Sequence, residues 1–189
     1  RWWCSPKKKA NSAMMPVIPA VRCTARWITG FVGLVLALVL AVGPASAGPQ
    51  ADLVLVVKSE KRLYLLQNGD VVASFRVAFG KNPKGHKEQQ GDERTPEGRY
   101  ILDYKNPHSS YYKSIHISYP DAEDRARARK KGVHPGGDIM IHGQKNGYER
   151  WEMFAQWVNW TNGCIALKND EMDIVWEAVK VGTPIEIRP

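Results

Sequence analysis

Three observations predict an α+β domain, mostly β, with a few short helices. Short runs rich in β-branched and aliphatic residues recur from Leu53 onward, each closed by Gly, Asn, Asp or Pro. Helical patterns are few, and they do not alternate with the strands as they would in a parallel doubly wound sheet. All of these elements fall between Gly48 and Pro189, and those 142 residues suit one domain with a core and are too few for two.

Residues 1–47 read differently. Arg22 and Arg26 precede an apolar run from Trp27 to Val42, and Ala45-Ser46-Ala47 supplies the small-x-small pattern of a signal peptidase site. We expect a secretory signal cleaved after Ala47, with Met14 or Met15 as the start. The run is about 16 residues, shorter than the roughly 20 of a spanning helix, so the membrane is a partner only if the segment stays uncleaved. The segment holds six of the 27 Lys and Arg and none of the 19 Asp and Glu, which leaves the mature part at 21 against 19, or +2. That balance gives no case for a nucleic-acid partner. Cys4 and Cys23 go with the segment as well, so the exported domain keeps Cys164 alone, without an internal disulfide partner.

Leu53 to Val57, Leu63 to Leu66 and Val71 to Phe79 read as an antiparallel meander, with Asn68-Gly69-Asp70 as its tight turn. Gly80 to Thr95 is polar, holds Pro83, Gly85 and Gly91, and has no period, so we expect a long surface loop bordering a site. Gly98 to Tyr104 and Ser114 to Tyr119 are further strands. Asp121 to Lys131 is a helix with acids at its start, bases at its end and Gly132 as terminator, expected on the solvated surface. Asp138 to His142 is a short strand. Tyr148 to Trp157 is expected to be helical, with Trp151, Phe154, Ala155 and Val158 on one core-facing side, and with Trp157 and Trp160 packed or lining a cleft. A brief strand follows Cys164, Asn169 is the expected N-cap of a helix through Val179, and Pro184 to Arg188 is the last strand.

Chemistry concentrates at Thr161-Asn162-Gly163-Cys164 and at Ile141-His142-Gly143, 22 positions upstream. A thiol attacks as thiolate, and a nearby histidine is a common way to produce one. Gly163 leaves the backbone open to a substrate carbonyl and to main-chain N–H groups that would bind an oxyanion, while Thr161 and Asn162 add a hydroxyl and an amide. The pair can meet if the strands carrying them are neighbours. His116 alternates with Ser114 and Ser118 on one strand face and is a candidate substrate contact. His86, His108 and His134 sit in predicted loops and need no special role. With no His-x-x-x-His or Cys-x-x-Cys spacing, we expect neither a metal nor a cofactor.

The ordered set Gly80, Gly91 to Gly98, Ile141-His142-Gly143, Thr161 to Ile165 and Val181 to Ile185 resembles the YkuD-type L,D-transpeptidase catalytic domain over nearly all of residues 48–189. The resemblance implies a mixed, sandwich-like β-sheet domain in the periplasm or cell envelope. It implies that Cys164 is the nucleophile and His142 the base, the latter oriented by a backbone carbonyl, with Gly143, Thr161, Asn162 and Gly163 as support. The implied partners are peptidoglycan stem peptides, cut after a third residue that is often a diamino acid and joined to an amine of another stem, and carbapenems as covalent inhibitors. The chain departs from the family pattern at Ala166, where an arginine or asparagine is common, and at Asn162, where a histidine is often found. Losing a cationic side chain leaves hydrolysis of the same peptides open as an alternative, along with a catalytically silent wall-binding domain.

Overall fold

A computed structural model describes residues 50–189 except Glu149 and Trp151; the expected signal segment lies outside the described residues. Period-two burial builds the first ladder. In β1 (Leu53–Val57) Val54 and Val56 face the core, and in β2 (Arg62–Gln67) Leu63 and Leu65 do. The turn into β3 (Asp70–Arg76) has Asn68 at φ 54° and Gly69 at φ 88°, the left-handed pair a tight hairpin needs. The last strand, β8 (Pro184–Arg188), lies parallel to β1 and buries Ile185 and Ile187.

The twelve-residue β4 (Gly98–Ser109) pairs with β8 through Gly98 to Ile101 and with β5 (Tyr112–Ile117) from Leu102 onward. Both β4 and β5 run beyond their sequence-expected limits toward a shared turn. Beyond β5 come β6 (Met140–His142), antiparallel to it, and β7 (Ile165–Ala166), parallel to β6. The strand order is β3-β2-β1-β8-β4-β5-β6-β7.

The segment that follows β3 reaches the far end of that order. The chain leaving β3 departs from β2 at Val77 instead of continuing as a strand to Phe79, and Ala78 exchanges backbone hydrogen bonds of 3.0 and 2.8 Å with Ala166 of β7. Gly80 then bridges Thr161. These two bridges form a seam between the segment after β3 and the chain around β7, while β3 itself pairs with β2 alone among the described strands. Val77, Ala78 and Phe79 are buried there with Ile139, Ile165 and Leu167.

Helix α1 (Ala122–Lys131) begins with a capping box, in which Asp121 accepts from the Asp124 amide at 2.8 Å, and it stops at Gly132, φ 68°. It is less solvated than its composition suggests. Asp124 is buried, accepts from the Tyr100 hydroxyl at 3.0 Å, and lies 3.0 Å from His86 Nε2. His86 thus ties the 80–97 loop to α1, a role its loop position did not predict.

Helix α2 (Glu152–Ala155) is a single turn where ten residues were expected. Phe154 and Val158 are 63% and 61% exposed, so the expected core-facing stripe does not form; Trp151 lies outside the described residues. The cause is tertiary. The Gln156 carbonyl accepts from Arg76 Nε at 3.3 Å, the Asn159 side chain from the Phe79 amide at 3.3 Å, and the Thr161 amide donates to the Phe79 carbonyl at 3.1 Å, which draws the chain straight toward the seam. Helix α3 (Asn169–Ala178) covers the core with Met172, Val175 and Ala178. Its N-cap is Lys168, one residue before the expected Asn169. Asn169 Oδ1 instead accepts from the Gln144 amide at 2.8 Å.

Candidate active site

His142 ends β6, in register with Ser114 of β5 and Ala166 of β7. It is buried, and its Nδ1 lies 2.6 Å from the Gly143 carbonyl. A carbonyl only accepts, so in the neutral ring Nδ1 carries the hydrogen and Nε2 keeps the lone pair. Tyr111 and Trp160 wall the ring, with centroids 4.7 and 5.7 Å away. Burial pushes the imidazole pKa down to about 4, only partly opposed by the Gly143 carbonyl. Gly143 has no room for a side chain, since a Cβ there would sit 2.6 Å from Asn169 Oδ1 and 2.9 Å from Tyr112 Cβ. Its amide is shared by the Tyr111 and Lys113 carbonyls at 3.1 and 3.2 Å.

Cys164 sits just before β7 and is partly buried. Its Sγ accepts from the Met140 amide at 3.4 Å and donates to the Asp138 carbonyl at 3.5 Å. Burial pushes the thiol pKa up; the Met140 amide and Lys87 oppose this, and the Asp138 charge adds to it. The resting pair is thus a thiol and a neutral imidazole, in contrast to the thiolate the sequence suggested. The sulfur spends its hydrogen bonds on the approach to β6, while His142 faces the same cleft of about 410 Å³, whose walls include Ser114, Met140, Trp160 and Asn162.

The turn before the cysteine is held from inside. Thr161 Oγ1 donates to the Cys164 carbonyl at 2.7 Å and accepts from the Gly163 amide at 3.2 Å. Gly163 has φ 129°, and a Cβ there would lie 2.7 Å from the Arg94 carbonyl oxygen; one on Gly80 would lie 2.0 Å from the Glu93 carbonyl oxygen. Three segments meet here on bare backbone. The 80–97 loop is kept in place by Asp92, whose carboxylate takes the amides of Glu88, Gln89 and Arg94 at 2.7, 3.1 and 3.1 Å and the buried Lys87 ammonium at 2.7 Å.

The remaining predicted residues are placed as follows. Asn162 is exposed at the rim, 3.5 Å from Lys81 Nζ. His116 shares the sheet face of Ser114 and is paired with Met140, yet it does not line the cleft: its Nδ1 lies 2.6 Å from Asp103 and its ring stacks on Tyr104 at 4.6 Å. His108, set aside in the sequence, lines the cleft. Ala166, where the family pattern suggested a longer polar side chain, is fully buried beside the Ala78 bridge. Sequence reasoning missed Tyr111 and Asp138. The alternation Asp138, Met140, His142 was the available signal for the second of these. Among the described residues no three His, Cys, Asp or Glu side chains group as metal ligands.

The family model for the L,D-transpeptidase catalytic domain, YkuD, matches residues 51–187. The chain belongs to that family. It is 30% identical over 142 residues to YqjB of Bacillus subtilis strain 168, covering 74% of this chain and 72% of YqjB. It is 28% identical over 130 residues to YafK of Escherichia coli strain K12, covering 66% and 45%. Both relatives are provisionally named L,D-transpeptidases. Among solved structures it resembles the helical cell shape determining protein Pgp2 of Campylobacter jejuni, with a TM-score of 0.54 at 27% identity over 71% of this chain and 46% of Pgp2. The chain therefore spans less than half the length of YafK and of Pgp2. Within the matched span, Gly80 and Gly163 serve close approach to the backbone of the 80–97 loop, and Gly143 makes room for the side chains of Asn169 and Tyr112.

Proposed function

We propose that the domain is an exported, peptidoglycan-directed cysteine acyltransferase that forms a thioester at Cys164. The observation carrying this reading is that Cys164 Sγ and the buried His142 ring line one cleft, with Nδ1 of the imidazole engaged by the Gly143 carbonyl, which leaves Nε2 as the base. As Sγ bonds to the carbonyl carbon of a stem peptide, the thiol proton passes to His142 Nε2. The C–N bond then breaks, and the leaving amine departs with that proton. A second amine attacks the thioester, gives its proton to Nε2, and the C–S bond breaks as the sulfur takes the proton back. Attack by another stem makes a cross-link, and attack by a free D-amino acid makes an exchange product.

Each supporting residue has a narrower part in this scheme. The Gly163 amide is already bonded to Thr161, so the proposed oxyanion donor is the amide of Cys164 itself. Thr161 and Gly163 hold the turn, Gly143 lets the base settle, and Asn162 meets substrate at the rim. His116 has no part in this scheme, because Asp103 and Tyr104 hold its ring outside the cleft. Export rests on the expected signal segment ending at Ala47.

A hydrolytic reading is favoured by one observation: the described walls of the cleft hold no Lys or Arg to fix an acceptor carboxylate, and Ala166 leaves none to be placed there. Incubation with purified muropeptides followed by mass analysis separates cross-linking, exchange and hydrolysis. Cys164→Ala is expected to lose all turnover with unchanged melting, and turnover that survives it overturns the proposal. A carbapenem adduct on Cys164 by intact mass is the companion result. The raised resting thiol pKa means that alkylation pH profiles do not distinguish this enzyme from a silent wall-binding domain, whereas acylation does.

A further inference from the structure

The Asp138 side chain is the charged group of the site that the steps above leave unused. Asp138 stands at φ 55°, a left-handed conformation that Asp and Asn tolerate better than most residues. This backbone aims its carbonyl at Cys164 Sγ, 3.5 Å away. The side chain is exposed, and the residue lines both the Cys164 cleft and an adjoining cavity of about 560 Å³. Among the described residues lining the Cys164 cleft it is the single Asp, Glu, Lys or Arg. In the adjoining cavity Glu93 is paired with Lys81 at 2.8 Å and Lys87 with Asp92 at 2.7 Å. Asp138 therefore faces both spaces with no ion-pair partner among the described residues.

We propose that Asp138 is a specificity-determining residue that seats a primary ammonium group of the substrate beside Cys164. A carboxylate at the mouth of a cleft without cations attracts an ammonium and repels a substrate carboxylate, so it selects by sign. It also bears on the attack. Burial first, and the Asp138 charge in addition, disfavour the thiolate, and an ammonium bound against Asp138 offsets the second of these as the thiolate forms. The inference rests on the acyl-transfer reading. The ammonium has two possible sources, the side chain of a diamino acid in the donor peptide or the incoming amine before it loses its proton.

Two arms separate these sources. In the first, a tetrapeptide with a diamino acid before a terminal D-alanine, and the same peptide acetylated on the side-chain amine, are titrated calorimetrically into Cys164→Ala protein with and without Asp138→Asn. Asparagine accepts the left-handed backbone, and an unchanged melting temperature verifies the fold. A donor-side ammonium predicts that acetylation weakens binding at least tenfold with Asp138 present and less than twofold in the Asp138→Asn background. In the second arm, the wild type and Asp138→Asn process the acetylated peptide in the presence of glycinamide. An acceptor-side ammonium predicts at least a tenfold fall in the ratio of amide product to hydrolysis product for Asp138→Asn. The proposal is overturned if Asp138→Asn leaves both the acetylation effect and the product ratio unchanged. Failure of the acyl-transfer reading appears separately, as turnover independent of Cys164, and the binding arm needs no turnover.

Discussion

In the β2–β1–β8 ladder the strands are five or six residues long, and alternate side chains fill the core. At the seam, β6 and β7 have three and two residues, and the contacts that matter are backbone to backbone: Ala78 to Ala166, Gly80 to the Glu93 carbonyl, Gly163 to the Arg94 carbonyl. The ladder derives its stability from apolar area, which tolerates local adjustment, while the seam depends on close approach, which does not. The thiol and the imidazole both sit at the seam. The proposed chemistry, which needs fixed donors within hydrogen-bond reach, is thus sited where side-chain volume has been removed.

Substitutions on the two sides can break or sharpen this contrast. The largest effect is expected for Gly163→Ala, whose Cβ would lie 2.7 Å from a backbone oxygen at φ 129°. It should cost about 3–5 kcal/mol in urea unfolding and reduce turnover even in the molecules that remain folded. Leu65→Ala, fully inside the ladder, should cost about 2–5 kcal/mol yet leave turnover per folded molecule unchanged. Lost turnover in that variant would show that the two sides are coupled.

Acid provides the next test. His142 protonates near 6.5 when unfolded and near 4 when folded. Between those values the unfolded chain binds more protons, so stability is fully present above pH 6.5 and declines as pH falls toward 4. The His142 share should approach about 3 kcal/mol, read as the difference between wild type and His142→Gln in urea unfolding at several pH values, because carboxylates held below their usual range, such as Asp92 and Asp173, add a loss common to both. The smallest effect is expected for Gly69→Ala in the β2–β3 hairpin, where open space surrounds the added Cβ and only φ 88° resists it. About 1 kcal/mol and unchanged activity are expected by the same two measurements.

The helix readings show where legibility ended. Helix α1 was readable because Asp121, the terminal Arg and Lys residues and Gly132 act on backbone groups within a turn of themselves. The aromatic stripe after Tyr148 carried an equally regular period and still failed, because Arg76 and Phe79, about 80 positions away, take hold of Gln156 and Asn159. The same distinction runs through the site. Cys164, His142 and their glycines were legible as a pattern, whereas Asp138, Tyr111 and the inward bond of Thr161 were not, since each acquires its role from a neighbouring segment.

The sequence by itself determined the strand alternation, the Asn68-Gly69 turn and the caps of α1, and it singled out Cys164 and His142 as the candidate thiol and base. Each of these follows from periodicity, from φ preference or from a local motif, all properties of residues close together in the chain. Only the tertiary structure decided that a bridge forms between Ala78 and Ala166, that the stripe at Phe154 faces water, that burial favours the neutral forms of the thiol and the imidazole, and that the Asp138 carbonyl meets the sulfur. Those outcomes depend on desolvation and on hydrogen bonds between distant segments, and neither exists until the segments have been brought together.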